Sequence, residues 1–486
     1  MHPSRPFERA DAALGDMLER TVAAHHRRRL GRLGHGDALD PPGDGSLWAS
    51  GQPESRAGNS LEVLIDGAEG LPAIEHELRG ARSHVHIAGW HLTPDFVLSR
   101  DGGGLTLRAL LAELAERVDV RVLLWAGAPL PVFKPARGSV RECRRQLTEG
   151  TRVRCALDSK ERPMHCHHEK LVVVDDSVAF VGGIDMTSLA GDRYDEPGHP
   201  ARGRLGWHDA TTRLRGPIVA DVAAHFAARW REVDGEDLGP TSVPAPAGSV
   251  EAQLLRTIPE RVYEFARDGR FTIVESYLRA LRSAERFVYL ENQFLWSPEV
   301  TAVLAGKLEH PPSDGFRVVV VLPEKANNGQ DDTRGQLGVL TQADERGGSG
   351  RMLACTLRSR SGDRSERLYV HAKVGIVDDG WLTVGSANLN AHSFFNDSEV
   401  NVVTCDSGLA RDTRLRLWSE HLERPIGDVA ADPAEVIDGL WRPIAHDQRR
   451  RLDRGQPLTH HLVQLPGVSR RTGRLRGPVD SLLVDG

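Results

Sequence analysis

Short apolar runs and longer amphipathic stretches alternate along the chain from about residue 60 onward. The stretch LTLRALLAELAERV at 105–118 repeats its leucines with helical spacing. Other segments have the length and β-branched content of buried strands: LEVLI (61–65), VHIAGW (85–90), VRVLLW (120–125), LVVV (171–174) and AFVGG (179–183). Strands that alternate with helices predict an α/β fold with a largely parallel or mixed sheet.

The same pattern occurs a second time further along the chain. ARSHVHIAGWHL at 81–92 resembles SAERFVYLENQFL at 283–295, and HHEKLVVVDDSVAFVGGIDMT at 167–187 resembles VHAKVGIVDDGWLTVGSANLN at 370–390. Both pairs have the same offset of 203 residues. This period is far longer than that of a solenoid repeat, so it predicts a duplicated domain.

Composition indicates where the predicted domains begin and end. Residues 1–58 are expected to be a polar, arginine-rich helix and a loosely ordered Gly/Pro-rich linker. The Pro/Ala/Ser stretch TSVPAPAGS at 241–249 separates the two copies. We therefore expect a first half at 59–248 and a second half with a C-terminal extension at 249–486.

Bulk properties restrict the partners and the compartment. The net charge of −6 and the pI of about 6.4 do not favour a polyanionic partner, so no nucleic acid is expected. Five scattered cysteines without a CxxC pair suit the reduced thiols of a cytosolic protein. No apolar run reaches the roughly 18 residues of a membrane span, and no secretory signal is visible. We expect a cytoplasmic protein that meets lipid peripherally, at the inner membrane face.

Each copy contains a His-x-Lys pair, an aspartate five residues after the lysine, and then a turn of small residues. The two sets are His168, Lys170 and Asp175 before Gly182-Gly183, and His371, Lys373 and Asp378 before Gly385-Ser386. On a strand, a spacing of two places histidine and lysine on one face, so they converge on one anion. Histidine serves as nucleophile or proton donor near neutral pH, and lysine holds phosphate oxygens. The pattern predicts a half-site for attack on phosphorus.

A single His-x-Lys pair in 486 residues is usually an ordinary surface pair. Here the pair recurs at the offset of the wider repeat, and the aspartate and the turn keep their spacing. Only six of the 62 basic residues are lysines, so a neutral choice of cation would rarely place lysine at both positions. We therefore interpret the two pairs as functional.

Further segments accompany the two motifs: GGIDMT, DRYDEP, WHD, GPIVADV and FAARW in the first copy, and YLENQFLW, GSANLN and NDSEVNVV in the second. Over roughly residues 60 to 425, the chain resembles the phospholipase D superfamily with its two HKD motifs, and the eukaryotic-type enzymes more than the secreted bacterial ones. The resemblance implies two tandem, similar α-β-α sandwich domains with mixed sheets, related by pseudo-twofold symmetry around one active site.

The resemblance also implies a mechanism. His168 would attack phosphorus and form a phosphohistidine, although the reverse assignment of the two histidines stays open. His371 would protonate the leaving alcohol and then activate the water or alcohol that releases the phosphatidyl group. Lys170 and Lys373, with Asn388, would bind the non-bridging oxygens. No metal or other cofactor is implied.

Other residues take supporting roles by the same resemblance. Asp209 and Glu399 match the acids that hydrogen-bond the far nitrogens of the two histidines. Asp185 occupies the position of Asn388 in the first copy, and either contacts phosphate or supports the site. Asp175 and Asp378 are expected to brace the turns structurally.

The remaining candidates concern the substrate cleft. Ser386 and Gln293 are expected to contact the substrate or its phosphate. Trp90 lies where the two halves should meet, and core packing is an equal alternative for it.

The superfamily leaves several functions open. The leading hypothesis is a phospholipase D-type phosphodiesterase acting on glycerophospholipids at a membrane surface. The alternatives are a cardiolipin synthase-like phosphatidyltransferase, a nuclease or another phosphodiesterase, and a scaffold without activity. All four histidines and lysines are present, which argues against the scaffold. One chain carries both half-sites, so a monomer is expected.

Overall fold

The computed structural model describes residues 5–100, 104–129, 134–162, 165–325 and 334–465. The end of the expected C-terminal extension, residues 466–486, lies outside the described residues. Helix α1 (Arg5–Arg32) comes first. The elements of the first half then follow in the order β1 (Arg56–Ile65), α2 (Asp66–Gly80), β2 (His84–Gly89), α3 (Leu107–Ala115), β3 (Asp119–Trp125), α4 (Arg137–Thr148), β4 (Arg154–Asp158), β5 (Leu171–Val174), β6 (Val178–Gly182), β7 (Gly206–His208), β8 (Ala210–Arg215) and α5 (Val219–Asp234).

The second half repeats this order with insertions. Its elements are β9 (Val250–Ile258), β10 (Arg270–Phe271), α6 (Thr272–Ser283), β11 (Phe287–Glu291), α7 (Pro298–Glu309), β12 (Arg317–Val321), α8 (Arg334–Arg346), β13 (Met352–Ser361), β14 (Arg364–Val370), β15 (Val374–Val377), β16 (Trp381–Gly385), α9 (Ala391–Phe395), β17 (Glu399–Thr404), α10 (Ser407–Leu422), α11 (Ile426–Val429), α12 (Pro433–Val436), α13 (Arg442–Asp453) and β18 (Leu462–Gln464).

Two mixed sheets have the same strand order and the same directions. The first runs β1-β8-β6-β5-β2-β3-β4, antiparallel as far as β2 and parallel from β2 to β4. The second runs β9-β17-β16-β15-β11-β12-β13, with the same change to parallel pairing at β11, and β18 is added antiparallel to β13. The predicted α/β fold with mixed sheets is confirmed.

Alternation along the strands produces the layers. On β5, Leu171 and Val173 join a core between the two sheets, whereas Val172 and Val174 face the core under α2, α3 and α4. The core between the sheets also contains apolar residues of α5 and α10. The outer face of the second sheet packs on α6, α7 and α8. Each sheet is thus covered by helices on both faces, because both of its faces are apolar.

The segment that follows α1 differs from the expectation of a loosely ordered linker. The side-chain amide of Gln253 exchanges hydrogen bonds with the backbone of Ala49 (3.1 and 2.9 Å), and Glu275 accepts one from the amide of Ser50 (2.9 Å). Polar side chains of the second half therefore satisfy the backbone of this irregular segment, which holds it against that half.

Candidate active site

The two motif aspartates brace equivalent turns. Asp175 and Asp378, each with the aspartate that follows it, have positive φ angles of 51–55°, as the two central residues of a tight hairpin require. The carboxylate of Asp175 accepts three backbone N–H bonds of 2.7–2.9 Å, from residues 82–84. That of Asp378 accepts three of 2.6–2.9 Å, from residues 285–287. The turns lie at Asp175-Asp176 and Asp378-Asp379.

The His-x-Lys segments lie just before β5 and β15. The sequence pattern predicted that they lie on these strands. Their backbones bond to the opposite half. The amide of His168 donates to the carbonyl of Ser398 (2.9 Å), and the amide of His371 donates to the carbonyl of His208 (2.8 Å). Each motif is therefore joined to the residue that immediately precedes an acid of the other half.

That acid then bonds the histidine ring. Nδ1 of His168 lies 3.0 Å from Oε1 of Glu399 and 3.1 Å from the carbonyl of Ser386. Glu399 also accepts hydrogen bonds from the hydroxyls of Ser386 and Ser393. Burial raises the pKa of Glu399 to about 8, against the opposing effect of nearby Lys170.

The second histidine has the reciprocal arrangement. Nδ1 of His371 lies 2.6 Å from Oδ2 of Asp209. Burial raises the pKa of Asp209 to about 6, and Lys373 opposes this shift. Burial, Lys373 and Lys170 hold the pKa of His371 well below its usual range, so its imidazole is neutral in the empty site.

The two imidazoles face one cavity. Their ring centroids are 6.4 Å apart, and the rings are nearly perpendicular. The cavity has a volume of about 270 Å³. The residues lining it are Trp90, Lys134, His168, Asp185, Leu189, Ala190, Arg193, Trp207, Gln293 and His371. Both halves contribute to this lining.

The lysines differ in their partners. Nζ of Lys170 donates to the carbonyl of His168 (2.7 Å) and lies 3.3 Å from Oδ2 of Asp185. Nζ of Lys373 donates to the carbonyl of His371 and to Oε1 of Gln293 (3.2 Å), and burial lowers its pKa to about 7.

The four remaining expected site residues have distinct surroundings. Asn388 is fully buried, and neither polar atom of its side chain has a partner among the described residues. Trp90 and Gln293 line the cavity. Ser386 does not, because its hydroxyl donates to Glu399 and accepts from the amide of Val400 (3.1 Å). Ser386 therefore orients Glu399 rather than facing the cavity.

Small residues end β6 and β16 for a steric reason. A Cβ atom on Gly182 would lie 2.4 Å from Cα of Thr211, and one on Gly385 would lie 2.5 Å from Cα of Asn401. The neighbouring strands pass too close for a side chain at either position. In the segment that follows β6, Asp185 lines the cavity.

Sequence reasoning missed a buried polar network beneath Asp209. Nδ1 of His208 lies 2.8 Å from Asp66, and Nε2 lies 2.9 Å from Glu291, which in turn bonds His421 (2.8 Å). Burial opposes a charge on His208, yet Asp66 and Glu291 together raise its pKa well above the usual value. The network links the strand before Asp209 to the second half. No local pattern signalled it, because its members come from distant segments.

Part of this network is a set of potential metal ligands. Asp66, His199, His208 and Glu420 have candidate ligand atoms within 4.8 Å of one another. The imidazole of His208 bonds Asp66, and that of His199 lies 2.7 Å from Asp195. None of the four residues is among those that line the cavity between the two motif histidines.

Comparisons with known proteins agree with this architecture. The family model "Phospholipase D" matches residues 77–206, and the model "Cardiolipin synthase, PLD-like domain" matches residues 277–418. One relative is phospholipase D A of Dictyostelium discoideum, 25% identical, with 75% of this chain and 35% of the relative covered. Another is phospholipase D alpha 1 of Carica papaya, 26% identical, with 74% of this chain and 64% of the relative covered.

A solved structure shows the same fold. The phosphatidylserine synthase of Haemophilus influenzae Rd KW20 superposes with a TM-score of 0.52 at 14% identity, over 76% of this chain and 86% of the other. Together, the repeated sheet, the paired motifs and these matches define the class of protein. The chain belongs to the phospholipase D superfamily.

Proposed function

We propose that the protein is a phospholipase D-type phosphodiesterase. It would cleave the headgroup from a glycerophospholipid and pass the phosphatidyl group to water or to another alcohol. The observation that carries this proposal is the pair of histidines facing one cavity, each bonded through Nδ1 to an acid of the other half. Both rings line the cavity, and Nε2 of each would act on a phosphate placed between them.

In the first step, Nε2 of His168 forms a bond to phosphorus, and the bond from phosphorus to the headgroup oxygen breaks. In its ionised form, Glu399 would accept a hydrogen bond from Nδ1–H of the imidazolium that forms and keep the ring oriented. Lys170, Lys373 and Asn388 would bind the non-bridging oxygens, on which negative charge increases in the transition state.

His371 would supply the proton for the leaving alcohol. Its low pKa keeps it neutral in the empty site, but a bound phosphate brings a negative charge beside it and raises that pKa. After the alcohol departs, the neutral imidazole would remove a proton from water. The water oxygen then bonds to phosphorus, the N–P bond breaks, and phosphatidate is released. A neutral His371 also suits the reverse assignment, in which it is the nucleophile.

Access to lipid would be peripheral. No helix in the described ranges is long and apolar enough to span a membrane. One chain supplies both half-sites, so the proposal includes a monomer made of two halves, at 59–248 and 249–486, working at the inner face of the membrane.

The direct test uses vesicles of phosphatidylcholine and phosphatidylethanolamine with added ethanol. The proposal predicts phosphatidate and phosphatidylethanol from the wild type, and neither from His168→Ala. His310→Ala, at an exposed position after α7, is the matched control and should behave as the wild type. A wild type that leaves every lipid intact would refute the proposal.

One comparison favours a second candidate, a phosphatidyltransferase of the cardiolipin synthase type, because that family model matches the second half. This candidate uses the same phosphoenzyme with a different acceptor. Phosphatidylglycerol vesicles separate the two functions. Cardiolipin in excess of phosphatidate would favour the transferase, and phosphatidate alone would favour the hydrolase.

A further inference from the structure

Arg193 lies beside the catalytic histidine of the second half. It lines the cavity, and its Cζ atom lies 3.1 Å from the ring centroid of Trp207. The ring of Trp207 packs in turn against the ring of His371, with 4.5 Å between their centroids. The guanidinium is thus stacked on the side of the cavity where His371 lies.

This buried guanidinium donates no hydrogen bond to a carboxylate of the described residues, although the charges of Asp185 and Asp209 act on it. Arg193 is only 2% exposed, and its Nη2 donates to the carbonyl of Leu189 (2.9 Å). Its Nε and Nη1 have no partner among the described residues. The other two most deeply buried arginines each bond a carboxylate: Arg229 bonds Asp158 (2.6 Å), and Arg414 bonds Asp379 (2.7 Å).

A buried cation with unsatisfied donors is costly, and an arriving anion removes that cost. Burial lowers the pKa of Arg193 to about 10, so it stays charged at neutral pH. Lys134 adds a second cation to the cavity wall. Asp185, the one carboxylate among the described residues that line the cavity, already faces Lys170 at 3.3 Å. The described lining therefore carries two cations, Lys134 and Arg193, against one carboxylate that has its own partner.

We propose that Arg193 binds an anionic group, a carboxylate or a phosphate, on the alcohol that leaves phosphorus. The preferred substrate is then a phospholipid with an acidic headgroup. This inference rests on the proposed function. If His371 protonates the leaving oxygen, the headgroup lies on the side of the cavity that holds His371 and Arg193. The cavity of about 270 Å³ equals roughly nine water volumes, which suits a polar headgroup rather than acyl chains.

The experiment compares headgroups that differ by one acidic group. Phosphatidylserine and phosphatidylethanolamine are mixed equally in the same vesicles, and released serine and ethanolamine are measured together. A second mixture holds phosphatidylglycerol phosphate and phosphatidylglycerol, which distinguishes a phosphate from a carboxylate. Because both lipids share one surface, the product ratio reports their relative kcat/KM and is independent of vesicle binding.

The wild type should prefer the acidic lipid in at least one mixture. Arg193→Gln should lower that preference by about tenfold or more, the effect of losing a charge-assisted hydrogen bond. Arg193→Lys, which keeps the charge, should retain part of the preference. Arg204→Gln removes an exposed charge from the same loop and should leave the ratio unaltered.

Three results would overturn the inference: a wild type without acidic preference, an unchanged ratio in Arg193→Gln, or an equal loss on both lipids, which would mark a structural role. If the wild type releases no headgroup from any lipid, the proposed function fails as well. The two failures are therefore distinguishable.

Discussion

The two half-sites share a scaffold and differ in their chemistry. In each half, an aspartate in a hairpin turn collects three backbone N–H groups, and a glycine ends the next strand where its neighbour passes closely. In each half, the motif histidine takes its backbone acceptor and its acid from the other half. Neither half therefore contains a complete site.

The differences lie in the residues around this scaffold. Lys170 faces a carboxylate, Asp185, whereas Lys373 faces the amide of Gln293. Glu399 accepts hydrogen bonds from two serine hydroxyls and has the higher pKa, about 8 against about 6 for Asp209. A duplicated fold thus supplies two similar positions, and local substitutions give them different charges. Two histidines with separate roles require such a difference.

The largest expected effect concerns the two histidines. His168→Ala and His371→Ala should each lower turnover by about 10⁴-fold or more. A phosphatidyl ester of p-nitrophenol, whose leaving group needs no proton, separates their roles. His371→Ala should release one nitrophenol per enzyme and retain a phosphohistidine, and His168→Ala should release none. A burst from His168→Ala alone would mean that the roles are reversed.

The supporting acids should have the next largest effect. Asp209→Asn and Glu399→Gln should each lower turnover by about 100-fold, because the histidine loses the partner that orients it. Initial rates on vesicles measure this loss. Full activity in either variant would show that the corresponding histidine acts without its acid.

The stability of the same two variants should differ from that of the wild type over different pH ranges. Folding raises the pKa of Glu399 from 4.5 to about 8, so its contribution to stability is present below about pH 4.5 and is lost as the pH rises through 8. The contribution of Asp209 is lost earlier, between about pH 3.8 and 6. As the pH rises, the stability of Glu399→Gln relative to the wild type should therefore increase until about pH 8. The stability of Asp209→Asn relative to the wild type should increase only until about pH 6. Urea unfolding at several pH values measures both differences.

A smaller effect is expected when the first half receives the residue type that the second half has at the equivalent position, Asn388. Asp185→Asn removes the carboxylate beside Lys170 and leaves a buried charge unpaired, so the empty protein should lose about 3 kcal/mol of stability. Inorganic phosphate should then bind about tenfold more tightly, because one repelling charge is gone. Thermal unfolding with and without phosphate measures both effects. An equal stabilisation by phosphate in both proteins would place Asp185 away from the anion.

The smallest effect on turnover is expected at the turns. Asp175→Ala and Asp378→Ala each leave three backbone N–H groups without their acceptor, which should cost about 1–3 kcal/mol of stability. Turnover per folded molecule should change little. Urea midpoints for the two variants should shift equally if the scaffolds are equivalent, and a clear difference would break that equivalence.

Local and repeated features were predictable from the sequence. Apolar runs located β1, β2, β3, β5 and β6 of the first sheet, because strands buried on both faces are continuously apolar. The recurrence of His-x-Lys and Asp at one offset indicated a duplication and two half-sites, since a repeat can be recognised without knowledge of contacts. The bracing role predicted for Asp175 and Asp378 agrees with their backbone hydrogen bonds.

Contacts between distant segments were decided only by the tertiary structure. His168 and Glu399 are 231 residues apart, and His371 and Asp209 are 162 apart, so nothing in the sequence indicated that each acid serves the opposite half. The placement of Ser386 behind Glu399, and the unpaired guanidinium of Arg193 over Trp207, depend equally on which elements become neighbours. Residue types and spacing determine what each half can do, but hydrogen-bond partners are set by the packing of one half against the other.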